Sequence, residues 1–144
     1  MDKKNATSFF SVSFSQGFIS PNLPIVTFYQ GDKELVFILD SGSDNNLIDQ
    51  NILHQFRHTM LERREDDLTH LSGVGGNIPV SYCTMSFGCE DESYTEEFLV
   101  VDLKKSFDVI RRNHCMIIHG LLGSNFLKKN HIVLDFKTLT AYND

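Results

Sequence analysis

Glu34-Leu35-Val36-Phe37-Ile38-Leu39-Asp40-Ser41-Gly42 is the stretch from which the rest of the chain can be read. A run of apolar residues follows one charge, in types that favour sheets, and it reads as a buried strand. The strand runs straight into an acid, a hydroxyl and a glycine. A bare carboxylate at the end of an apolar strand is costly to bury, and the glycine two places on permits a sharp turn. A carboxylate kept in such a place is a candidate for chemistry.

Upstream, Ile25-Val26-Thr27-Phe28-Tyr29 reads as a second strand, joined to the first by a turn at Gln30-Gly31-Asp32-Lys33, so the two form a hairpin. Gly17, Pro21 and Pro24 bound a turn region. Residues 1–8 look loose. Phe9-Phe10-Ser11-Val12-Ser13-Phe14 partly alternates and reads as an edge strand, too apolar for a free tail, that packs on the domain or at a dimer interface. The expected division is an arm over residues 1–20 and one domain over residues 21–144.

Downstream, Asn46-Leu47-Ile48 reads as a short strand and Asp49 as a helix cap, with Ile52, Leu53 and Phe56 on one helical face up to about residue 58. A mixed-charge loop at residues 62–67 leads to a strand at 68–71, a glycine turn at 73–76 and a strand over 77–87. Residues 88–93 turn again on acids, and 94–101 form another strand. Residues 104–113 read as a short helix or a loop covering the sheet. Met116-Ile117-Ile118 reads as a buried strand, with Cys115 beside it also buried. Ser124 is placed to cap a short helix through Lys129, ahead of strands at 132–136 and 139–142. Many short strands with little helix point to an all-β barrel rather than an α/β fold.

The totals agree with one domain. There are 144 residues, 41% hydrophobic, which is enough for a core. The formal net charge of -6 argues against a nucleic-acid or anionic-membrane surface. No run is long and apolar enough for a signal peptide or a membrane span. Three cysteines (Cys83, Cys89, Cys115) cannot all pair with one another, so free thiols in a reducing, cytoplasmic setting are the expectation.

Other groupings carry less. His54 and His58 stand four apart but have no clear third ligand, so no metal and no cofactor is expected. Ser41 lacks the Gly-x-Ser-x-Gly frame of a serine nucleophile. Gly73-Val74-Gly75-Gly76 lacks the Lys-Ser/Thr that ends a phosphate loop. His119 reads as structural.

Three pieces stand in order: Leu39-Asp40-Ser41-Gly42-Ser43, then His70-Leu71-Ser72-Gly73-Val74-Gly75-Gly76-Asn77-Ile78, then His119-Gly120-Leu121-Leu122-Gly123-Ser124-Asn125. Together they resemble the signature of the retroviral-type (retropepsin-like) aspartic proteases, in the style of their cellular and bacterial branch, over residues 22–142. The resemblance implies a pepsin-like acid-protease barrel with one or two short helices. It also implies an aspartic endopeptidase acting on peptide or protein substrates. The chain has one Asp-Ser-Gly where two-domain relatives have two, so the resemblance implies a homodimer sharing a pair of Asp40 carboxylates. Asp40, Ser41 and Gly42 would be catalytic, with the Ser41 hydroxyl bonding across to the partner loop. Gly42 and Ser43 would hold the carboxylate in plane. Gly73, Val74, Gly75 and Gly76 would form a flap tip, and Leu121, Leu122 and Gly123 an apolar loop under the Asp. One departure stands out. Ser124 replaces the usual Arg that ties to an acid after the catalytic Gly, here Asp44. A non-catalytic peptide-binding or dimerisation module is the alternative.

Overall fold

The computed structural model describes residues 11–19, 22–61, 81–89 and 92–143. The expected hairpin is present. Strand β2 (Ile25–Gln30) pairs antiparallel with β3 (Lys33–Asp40), in register from Ile25 opposite Ile38 to Gln30 opposite Lys33. Strand β4 (Leu47–Asp49) follows, then β5 (Thr59–Met60). Next come the long antiparallel pair β6 (Ser81–Cys89) and β7 (Glu92–Val101), and later β8 (Gly120–Gly123).

The strands order as β2-β3-β8-β4-β7-β6, and β6 returns to β2 through Gly88 opposite Tyr29. The sheet is therefore a closed six-stranded barrel, with β5 added along β6. A second, three-stranded sheet joins β1 (Ser11–Ser13) to β10 (Thr140–Asn143) and β9 (Ile132–Asp135). The described residues also form helices α1 (Ser15–Ile19), α2 (Lys104–His114) and α3 (Ser124–Lys129).

Alternation explains why β3 reads as an unbroken apolar run. Leu35, Phe37 and Leu39 point into the barrel and are essentially inaccessible. Val36 and Ile38 point outward into a second cluster with Ile25, Phe107, Ile110, Ile118 and Leu121. A strand covered on both faces has no polar side to show. The cover on the outer face is α2, whose Leu103, Phe107 and Ile110 form its apolar stripe.

Two acids set the start of α2. Asp102 accepts the Lys104 N–H at 3.1 Å and the Asn51 amide at 2.7 Å, and these bonds hold its carboxyl below the usual range. Buried Asp49 accepts the Leu103 N–H at 3.1 Å.

The barrel interior is aromatic. The Phe87 ring lies 5.1 Å from Phe28, 5.2 Å from Phe37, 5.8 Å from Tyr94 and 6.0 Å from Phe98, mostly tilted or edge-on. Such offset pairs match the negative ring face of one partner to the positive edge of another.

Several local expectations change. The turn region after Phe14 contains a short helix, α1, and the chain doubles back as Asn22 and Leu23 donate their N–H groups to the Gly17 carbonyl. The helix expected after Asp49 is a single 3-10 turn, Leu53–Gln55, preceded by Ile52; Asp49 Oδ1 accepts the Asn51 N–H at 3.2 Å as well as the Leu103 N–H of α2. Met116, Ile117 and Ile118 are not a strand. Only Ile118 is buried, and Ile117 is 60% exposed. Cys115 is exposed rather than buried, ending α2 in the left-handed region at φ 57°. No disulfide joins Cys83, Cys89 or Cys115, and burial pushes the Cys83 thiol up to about 11. The Phe9–Phe14 reading holds in its described part: β1 pairs with β10, and Phe14 is fully buried. Residues 62–80, including the expected flap, lie outside the described residues.

Truncating Phe87 should remove the centre of the aromatic cluster. Phe87→Ala is expected to cost about 3–5 kcal/mol, read as a lower midpoint in urea unfolding with little change in slope.

Candidate active site

Asp40 is the last residue of β3, and its position follows from three neighbouring strands. β3 runs parallel to β8, with Leu39 opposite Leu122 and Asp40 opposite Gly123. β8 runs antiparallel to β4 on its other side, with Leu47 opposite Leu121 and Ile48 opposite Gly120. The loop of residues 41–46 must therefore pass over the end of β8 to get from one neighbour to the other.

That crossing is close. A Cβ on Gly123 would stand 2.5 Å from the carbonyl oxygens of both Ser43 and Asn45, and one on Gly120 would stand 2.3 Å from the Leu47 carbonyl. Only glycine fits at either end of Gly120-Leu121-Leu122-Gly123. Between them, Leu122 fills the barrel core and Leu121 packs in the outer cluster beneath α2. The expected apolar loop under the Asp is thus a strand beside it.

The loop is pinned by the start of α3. The Ser124 N–H donates to the Ser43 carbonyl at 2.6 Å, and the Asn125 N–H to the Asp44 carbonyl at 3.2 Å. The opening N–H groups of a helix have no partner within it, and here the loop supplies their acceptors. Gly123 is the residue ahead of the helix, so Ser124 is its first residue rather than its cap. Asp44, whose side chain is exposed, joins the helix start through its backbone, where the resemblance led one to look for an Arg.

Asn46 carries a role that its sequence position did not announce. It is buried, and its amide spans the site: Oδ1 accepts the Gly123 N–H at 3.0 Å, and Nδ2 donates to the Glu97 carbonyl at 3.0 Å. Its own carbonyl accepts the Leu99 N–H at 2.9 Å. A polar residue directly ahead of Leu47-Ile48 is the only local signal for this.

At the carboxylate, the Gly42 N–H donates to Asp40 Oδ1 at 2.9 Å, and the Ser43 N–H closes a turn on the Asp40 carbonyl at 3.1 Å. The Ser43 hydroxyl, expected beside the carboxylate, instead donates to the Asn45 carbonyl at 2.8 Å. Ser41 and Gly42 are exposed, and Asp40 is partly so. Among the described residues, Asp40 Oδ2 and the Ser41 hydroxyl have no hydrogen-bond partner. The carboxylate is thus oriented through one oxygen, with the other turned to whatever occupies the space beyond.

His119 lies away from this point. Its N–H donates to the Val36 carbonyl at 2.8 Å, and its Nδ1 accepts the Val36 N–H at 2.9 Å. Val36 is four residues below Asp40 on β3, about 13 Å along the strand. His119 is only 8% exposed, and burial holds its pKa below the usual value, against the opposing pull of Asp49 and Glu34. His54 and His58 do not share a helix face, and His58 Nδ1 is engaged with the Phe56 carbonyl at 2.8 Å. Among the described residues, no group of three or more His, Cys, Asp or Glu side chains could hold a metal ion. A groove of about 640 Å³ lies outside the β2–β3 hairpin, against Val36, Met116 and His119; Asp40 does not line it.

No family model matches the sequence, and no curated protein does. A solved structure is similar: that of a retropepsin-like aspartic protease from Rickettsia conorii, with a TM-score of 0.56 and 11% sequence identity, covering 94% of this chain and 91% of that one. The likeness is one of fold. The six-stranded barrel with its short helices is consistent with a retropepsin-like fold. Among the described residues, no helix is long and apolar enough to cross a membrane.

Gly123→Ala should force the Ser43 and Asn45 carbonyls outward. A loss of about 1–3 kcal/mol is expected, seen as a lower melting temperature.

His119 generates a pH dependence. Protonating Nδ1 would cost the Val36 hydrogen bond, and the folded-state pKa lies below the unfolded value of 6.5. The unfolded chain therefore binds the proton first as pH falls. Stability from this group is full above about pH 6.5 and declines below it, by at most about 1.4 kcal/mol per pH unit. His119→Asn, which keeps an acceptor but cannot titrate, should flatten the stability profile between about pH 7 and 5.5, measured by urea unfolding.

Proposed function

We propose that the chain is one subunit of a homodimeric aspartic endopeptidase whose water-activating dyad is Asp40 from each protomer. The observation that carries this reading is the state of Asp40. Its carboxylate ends a barrel strand, is oriented by the Gly42 N–H, and keeps Oδ2 and the neighbouring Ser41 hydroxyl unpartnered within the described residues. A lone oriented carboxylate is half of a two-carboxylate site, and a two-fold axis supplies an identical second half.

The chemistry follows from two acids held close. They cannot both ionise, so one keeps a proton while the other takes a proton from water. The activated water attacks the peptide carbonyl carbon. The protonated acid delivers its proton to the carbonyl oxygen, and a proton then passes to the leaving amine. The Ser41 hydroxyl bonds across to the partner loop. Gly42 and Ser43 hold the turn that carries the carboxylate, and Leu121, Leu122 and Gly123 form the strand beside it.

Residues 73–76 act as the flap tip. The support is that β5 and β6, on either side of residues 62–80, are antiparallel neighbours, with Met60 opposite Cys83. The chain on either side of residues 62–80 thus stands side by side at Met60 and Cys83. A glycine-rich tip can approach a substrate backbone closely and exclude water on closing. The substrate is an extended peptide held by strand-like hydrogen bonds with alternating side-chain pockets.

The test is cleavage of a denatured-protein or mixed-peptide pool between about pH 3.5 and 7.5, where a carboxylate dyad works. Asp40→Asn should lower cleavage by about 10²–10⁴-fold or more while leaving mass in solution and melting unchanged. Wild-type specific activity should fall on dilution as the dimer dissociates. A folded, dimeric wild type that cleaves nothing would favour the peptide-binding or dimerisation module. Cleavage surviving Asp40→Asn would remove Asp40 from the mechanism.

A further inference from the structure

We propose that Asn46 is a positioning residue for Asp40: its buried amide fixes the β8–α3 junction against which the carboxylate-bearing loop is held. The inference rests on the reading of Asp40 as the working carboxylate and adds a residue that none of the three sequence pieces singles out.

A buried primary amide carries donors and an acceptor, and leaving either unpaired costs free energy. Both are used here between segments far apart in the chain. Oδ1 takes the N–H of Gly123, a residue 77 positions on, and Nδ2 reaches the Glu97 carbonyl of β7. The backbone carbonyl of the same residue takes the Leu99 N–H. Asn46 thereby locks three elements at one point: the end of the loop, β7, and the junction of β8 with α3.

From that point to the carboxylate the path is short and made of hydrogen bonds. Gly123 stands opposite Asp40 in the β3–β8 register. The next N–H, from Ser124, holds the Ser43 carbonyl; the Ser43 N–H holds the Asp40 carbonyl; and the Gly42 N–H holds Asp40 Oδ1. The Gly123 N–H, at the last register position of β8, is directed to the Asn46 side chain. If the Asn46 acceptor goes, Gly123 and the loop carbonyls packed on it are free to shift. Displacements of about 1 Å at a reacting group cost up to about a hundredfold in rate.

The two polar ends separate in different variants. Asn46→Ala removes both. Asn46→Asp keeps an acceptor for Gly123 and, when protonated, still has a donor for the Glu97 carbonyl. Once ionised, it sets a negative charge against that carbonyl. The aspartate variant should thus be close to wild type in acid and lose function as its own carboxyl ionises. That adds a basic limb to the pH–rate profile, which a general loss of packing does not produce.

The experiment measures three things on wild type, Asn46→Ala and Asn46→Asp. They are kcat and KM on a cleaved peptide across pH, hydrogen exchange at the Gly123 and Ser124 amides, and the carbon resonance of the Asp40 carboxyl with the Gly42 amide resonance. The alanine variant is expected to exchange Gly123 about tenfold faster or more by local opening. Its kcat should fall about 10- to 100-fold with KM within about twofold, and the Asp40 and Gly42 resonances should move. Faster Gly123 exchange with unchanged kcat and unmoved resonances overturns the proposal, as does unchanged exchange. If the alanine variant does not fold, the aspartate variant compared at acid and neutral pH decides in the same way. If wild type cleaves nothing, the endopeptidase reading fails on its own. Asn46 is then judged by the Asp40 and Gly42 resonances, whose movement supports the link and whose constancy overturns it.

Discussion

The loop of residues 41–46 crosses the end of β8 at backbone contact distance, and most of the structure around Asp40 is a consequence. The crossing demands glycine at position 123, where a Cβ would lie 2.5 Å from the Ser43 and Asn45 carbonyls, while the neighbouring β4 demands it at 120, where a Cβ would lie 2.3 Å from the Leu47 carbonyl. The loop passes beside Gly123 at the last register position of β8 and leaves the first N–H groups of α3 pointing at it. Those groups are satisfied by the carbonyls of Ser43 and Asp44 and the side chain of Asn46. The exchange is mutual: the helix needs acceptors, and the loop needs fixing. An apolar pair between two glycines is what remains for the strand, Leu122 facing the core and Leu121 the outer layer.

The barrel closes that arrangement from behind. Its interior is packed with aromatic rings around Phe87, and its β3 wall is covered on the outside by α2. Covering matters for a carboxylate at a strand end. With Val36 and Ile38 packed in the outer cluster and Leu35, Phe37 and Leu39 in the barrel core, the register of β3 is fixed, because slipping by one residue would exchange its two faces. Asp40 emerges from a strand packed on both faces into exposed loop. The transition from rigid to open occurs within three residues, since Leu39 is 2% exposed and Ser41 and Gly42 are on the surface.

His119 and Asp49 close the lower end of the same three strands. The His119 backbone bonds to Val36 of β3 and to Asp49 of β4, and its ring accepts from Val36. The Asp49 carboxylate takes the N–H of Leu103 at the start of α2. The strands around β8 are thus joined above by the Asn46 amide and below by the His119 backbone and Nδ1, both residues polar and both buried. Buried polar residues of this kind fix alignment where apolar packing alone would tolerate several.

The hairpin β2–β3, the long pair β6–β7, the short helix at α3 and the glycine frame around Leu121-Leu122 were all legible in the chain. In each, the pattern is local: alternation, a turn, or a motif within a few residues. The same reading failed wherever the deciding partner is distant. Ile52, Leu53 and Phe56 have helical spacing, but the segment keeps a single 3-10 turn, and Asp49 Oδ1 is shared between Asn51 and the distant Leu103. Met116, Ile117 and Ile118 look like a strand, yet no neighbour offers a ladder to the first two, and Ile117 is left exposed. Asn46 is an ordinary polar residue until β8 arrives from 77 positions away. The sequence by itself determined the barrel class and the strand-end carboxylate with its turn, because side-chain alternation and backbone turning are short-range properties. Only the tertiary structure decided which residues hold that carboxylate, because the acceptors for the α3 N–H groups come from a loop that reaches them through the fold and not along the chain.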